Sequence, residues 1–306
     1  MRGFAICSVS VLSLSLGAAW AADPAPIDDS GIRFLLESQS SYVILSGDQL
    51  DTDEDENFSA SAGVARLNID LGNGFNLQGD AFGEIAWTND STDNAYASAL
   101  GGGLHAYMRG NSGAFGAYGA LADIDINNDD DDDGNDSGGL ARSFGVEALW
   151  FSDELTLGAQ AGLVDSDMGD DEDMIRDAFF VRGLARYYVS ESTLLQGEAS
   201  YLSGEMDSDN DDVSIVSVGA RIQHELDFIP GDFNWPGKVY LAYRGDFANQ
   251  SDPTSASDSG NIDSHTIMFG TTFTFGHSLI DNERNGAAFD LPAFARWNSI
   301  SAGAME

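Results

Sequence analysis

The side chains in this 306-residue chain with the most chemistry to offer are ionisable groups set into stretches that alternate polar and apolar residues. They are Arg66, Asp70, Asp80, Glu84, His105, Arg109, Glu147, Arg182, Arg186, Glu198, Arg221, Glu225, Arg244 and Asp246. In an extended segment, residues two apart share a face, so both signs of charge collect on one side of each strand while leucines, valines and aromatics take the other. A charged face of mixed sign can line a wet passage or pair up and fill it. Bond-making chemistry is less well supplied. A hydrolase needs a histidine with a serine or carboxylate in reach, and of the four histidines only His105 stands mid-stretch on the polar face. No compact Ser-His-Asn or Asp-His spacing accompanies it, and a hydrogen bond inside a lumen is its plainer role. The chain reads as non-enzymatic.

A second group of candidates is acidic. Asp129, Asp131 and Asp133, followed by Gly134, match the start of a calcium loop, yet the twelfth position is Leu140, where a bidentate Glu is needed, so this is no EF-hand. Asp207, Asp209 and Asp211 repeat the spacing. A loosely held Ca2+ or Mg2+ is the metal chemistry such loops would support, and a solvated charge run is the alternative. No other cofactor is implied. With 51 acidic against 13 basic residues the net charge is -38, which excludes nucleic acid and favours cations as counter-ligands.

The elements that position these groups are strands. Between Ile32 and Gly276, about twelve alternating segments are joined in turn by long and short connections, with Gly72-Asn73-Gly74 a clear tight turn. The six long connections hold 27 of the 51 acids and none of the 13 bases. Strands this long, with every second loop acidic, predict an all-β, antiparallel, up-and-down transmembrane barrel with long acidic outer loops and short periplasmic turns. Arg2, the apolar run Phe4 to Leu16 and Ala19-Trp20-Ala21 read as a cleaved signal over 1–21, with a linker at 22–31, the barrel over 32–276 and a periplasmic tail over 277–306. The single cysteine, Cys7, falls in the signal.

On the leader, the alternation and aromatic strand ends such as Thr274-Phe275, the chain resembles the porin-like outer-membrane β-barrels of Gram-negative bacteria. The resemblance implies location in that membrane, contact with its lipid and lipopolysaccharide, and small solutes or cations as partners. Oligomeric state is left open. The function expected is passive diffusion of small polar solutes or ions, with a modest cation preference from an acidic mouth. Alternatives are a non-conducting structural or adhesive barrel and, further off, a lipid hydrolase. The tail departs from the family, whose members commonly end at the aromatic residue that closes the last strand.

Overall fold

The computed structural model describes residues 31–47, 56–88, 96–127, 137–168, 174–206, 212–226, 237–251, 260–274 and 278–302. Twelve strands run β1 (Ile32–Gly47), β2 (Glu56–Gly72), β3 (Phe75–Thr88), β4 (Tyr96–Gly110), β5 (Gly113–Asn127), β6 (Ser137–Ser152), β7 (Leu155–Met168), β8 (Ile175–Ser190), β9 (Thr193–Met206), β10 (Asp212–Glu225), β11 (Gly237–Ser251) and β12 (Gly260–Thr274). Each pairs antiparallel with its neighbours in sequence. The ring closes where β1 meets β12, as at Ser40↔Phe269, while its other side pairs with β2, as at Leu35↔Arg66. Closure leaves no edge strand to pair with a stranger.

The expected faces are the observed ones. Leu100 and Phe115 are 72% and 63% exposed, and Leu104, Val146, Val181, Val218, Leu241 and Phe269 extend the same belt around the barrel. So much exposed apolar surface is stable only against lipid. The next residue along each strand points inward: Asn68, Gln78, His105, Glu147, Thr156 and Asp246 are buried polar groups. Trp150 and Tyr187 stand outward near the short-turn rim, whereas the adjacent Phe151 and Tyr188 are buried inside. At the turn itself, Asn73 has φ 56° and Gly74 φ 80°, left-handed values that Asn and Gly adopt at low cost.

The tail is where expectation fails. Rather than hanging below the barrel, it enters the lumen at the short-turn end and runs toward the long-loop end. Two helices shape it, α1 (Leu279–Asn285) and α2 (Phe294–Ala302). The physical reason is a lumen in two storeys. The half nearer the short turns is ionic, but the half nearer the long loops is lined by Ile124, Val164, Phe180, Leu202, Ile215 and Ile262, all buried, against which Phe294, Trp297 and Ile300 pack. An apolar chamber open to water would be costly, and α2 fills it. The signal and linker assigned to 1–30, the acidic runs of Asp129, Asp131, Asp133 and of Asp207, Asp209, Asp211, and Phe275-Gly276 lie outside the described residues.

Candidate functional site: a lumen with its own plug

The plug is fixed at three heights. At the rim, Ser278 caps α1 by accepting from the Asp281 N–H, Arg33 pairs with Asp281 at 2.9 Å, and Arg284 donates to the Ser152 carbonyl while lying over the Phe151 ring. Glu283, on the inner side of α1, accepts from Thr156 at 2.7 Å, from Arg186 Nη1 at 2.7 Å and from the Tyr188 hydroxyl.

At mid-height the chain is extended. Arg109 donates to the Gly286 carbonyl at 2.5 Å, and Gln78 and Gln160 donate to the carbonyls of Phe289 and Asp290, each at 2.7 Å. The Phe289 ring lies between Tyr107, edge-on at 5.0 Å, and His105, stacked at 6.2 Å between centroids. Asp290 is held by Arg66 at 2.6 Å and by Arg186. In the upper chamber, Arg296 pairs with Asp246 at 2.8 Å, Trp297 Nε1 donates to Ser217 at 3.1 Å, and Asn298 accepts from the Ile175 N–H at 3.0 Å. Each anchor satisfies a buried polar atom that would otherwise cost free energy.

The expected lumen residues are largely brought together. Arg182 pairs with Glu198 at 2.5 Å, and Arg244 lies between Asp246 at 2.7 Å and Glu198 at 3.4 Å. Arg66 reaches Asp80 at 3.4 Å, and Glu84 adds its field to Arg244. His105 sits between Glu147, 2.9 Å from Nδ1, and Asp80, 3.6 Å from Nε2. Nδ1 is hydrogen-bonded to Glu147, whereas Nε2 faces Asp80 without a hydrogen bond among the described residues. Two of the set stand at the rim instead: Asp70 is exposed and caps the turn by accepting from the Gly72 N–H at 2.8 Å, and Glu225 ends β10 opposite Lys238. The alternation put them on the inner face, but the strand ends there. Among the described residues no group of three or more metal-ligating side chains occurs.

Sequence reasoning missed Glu37, which pairs with Arg221 at 3.0 Å under the Tyr240 hydroxyl, and the whole tail set of Glu283, Asp290, Arg296 and Trp297. One signal for the tail was available: Phe294, Trp297 and Ile300 recur every third residue, the spacing of one helix face.

No family model matches the chain, and no curated relative does. Among solved structures, an outer membrane channel from Pseudomonas putida F1 aligns over 83% of this chain and 98% of its own, at 12% identity and a TM-score of 0.56. The translocator domain of the autotransporter NalP from Neisseria meningitidis aligns over 86% and 92%, at 11% identity and a TM-score of 0.47. At these identities the likeness speaks for the backbone alone, and together with the lipid-facing belt and the closed twelve-strand ring it gives this chain the fold of an outer-membrane β-barrel channel.

Proposed function

We propose that the protein is an outer-membrane channel through which small polar solutes or ions diffuse passively, and that its own C-terminal segment keeps it closed most of the time. The observation that carries this reading is the lumen: its wall donates and accepts hydrogen bonds along the polar storey, and what it binds there is a segment of the same chain rather than another wall. In the closed state wall and plug charges largely compensate one another. Ion preference then falls to the acidic outer loops, whose field favours cations modestly and fades over a Debye length of ~8 Å at physiological salt.

A second reading is favoured by the anchors themselves. A plug tied at three heights by ion pairs, those at mid-height and in the chamber largely buried, suits a non-conducting structural barrel. Single-channel recording in planar bilayers separates the two. The full-length protein is expected to give brief, discrete conductance steps, and Asp290→Ala, which cuts the central anchor, to raise their frequency. Silence in both proteins would sink the channel reading and leave the structural one.

A further inference from the structure

Asp290 marks the point where the plug meets the most basic part of the wall. One carboxylate oxygen lies 2.6 Å from Arg66 Nη1, the other accepts from Arg186 Nη2, and Arg182 and Arg221 add their charge from farther off. These four arginines are not equivalent. Arg182 has Glu198 and Arg221 has Glu37, both wall carboxylates within 3.0 Å. Arg186, among the described residues, has carboxylate partners only on the tail, Glu283 and Asp290; its contact with the wall is a hydrogen bond from Nε to Gln196. Arg66 keeps only Asp80, at 3.4 Å, and its Nε makes no hydrogen bond among the described residues.

Removing the plug would therefore leave two guanidiniums, on β2 and β8, facing one gap with the Nη donors that now hold the plug unused. Beside them Gln78 and Gln160, which now donate to plug carbonyls, would present free amide N–H groups. Guanidinium donors in a fixed fork match the planar two-oxygen face of a carboxylate better than any neutral group.

We infer that Arg66 and Arg186 form a carboxylate-binding site in the lumen, that Asp290 occupies it as an internal stand-in, and that its external ligands are small carboxylate-bearing solutes. The inference deepens the channel reading, on which it rests only for the route by which a solute arrives. A solute competes with a tethered carboxylate, so its apparent affinity in the wild type is the intrinsic affinity multiplied by the fraction of time the plug is undocked. The acidic mouth thins out anions before they enter, and the site retains those that do.

The test uses the full chain and sodium acetate as probe. Asp290→Ala leaves a gap the size of a carboxylate group between the two arginines. Its thermal midpoint in detergent is expected to fall and to recover by half or more with millimolar acetate, but not with chloride at equal ionic strength; the wild type, already filled, should not respond. In Arg186→Gln/Asp290→Ala the recovery should vanish. If Asp290→Ala does not fold unaided, its refolding yield against acetate concentration replaces the midpoint. No acetate response, or an equal response without Arg186, overturns the site. Conductance is not read in this assay, so a silent bilayer with acetate rescue would discard the channel and keep the site, and steps without rescue the reverse.

Discussion

Arg186 spreads its guanidinium over four partners: Nη1 on Glu283 and the Ala288 carbonyl, Nη2 on Asp290, Nε on Gln196. Replacing it with Gln leaves two plug carboxylates facing each other with the central cation gone. The cost is expected to be about 3 kcal/mol, the low end for breaking a buried ion pair because a lumen can admit water. Equilibrium urea unfolding in detergent measures it. Arg186→Lys should recover less than half, since an ammonium cannot reach both sides of the fork. A loss equal to that of a surface arginine such as Arg142, exposed and paired with Asp165, would mean the plug does not depend on this anchor. Most wall residues of this kind were legible because a mid-strand charge between apolar neighbours has only one wet face to occupy. Glu37 was not, because β1, with Gln39, Ser40 and Ser41 in succession, alternates weakly. Asp290 was not, because a lone acid in a tail carries no period; only the arginines waiting opposite it give it a role.

At the scale of elements, the strand ends show what a sequence pattern can and cannot carry. The twelfth strand starts at Gly260 and the sixth at Ser137, each some residues ahead of the clear apolar alternation. Alternation is a signal of one apolar and one polar environment. Above the lipid both faces are wet, so the strand continues while its signature stops. The tail failed for the converse reason. It reads as a periplasmic segment, and the inward positions of Ile124, Phe180 and Ile215, which offer it an apolar chamber, occur only in the half nearer the long loops. In the run Gly101 to Gly103, a Cβ on Gly103 would lie 2.8 Å from Leu291 Cδ2 of the plug. Gly103→Leu is therefore expected to push the segment between α1 and α2 out of place at a cost of about 1 to 3 kcal/mol, typical of overpacking. The checks are a lower thermal midpoint and more frequent openings in planar bilayers. A fall in midpoint with no change in openings would place the strain in the wall, against Ala120, and not in the plug.

For the whole molecule, the distribution of charge sets the last expectation. The wall and plug neutralise each other pair by pair, from Arg33–Asp281 at the rim to Arg296–Asp246 in the chamber, yet the chain carries a net charge of -38. Most of that excess belongs to the long connections, which hold 27 acids and no bases. A field from exposed carboxylates is screened by salt, whereas one from buried, unpaired groups is screened far less. If the mouth governs selectivity, cation preference is modest, strongest in dilute salt, and reduced by calcium. Deleting Asp129 to Asp133 removes five charges from one loop and no wall hydrogen bond of the described barrel, so the protein should fold unchanged while its reversal potential under a salt gradient moves toward zero. In Asp290→Ala the balance shifts, because Arg66 and Arg186 lose a carboxylate that the wall does not replace. That variant should carry relatively more anion current than the wild type at every salt concentration, and the loop deletion should add to the change, since the two changes remove different carboxylates that share no partner among the described residues. Anion preference in the wild type, or cation preference untouched by the deletion, would instead assign selectivity to the arginines of the lumen.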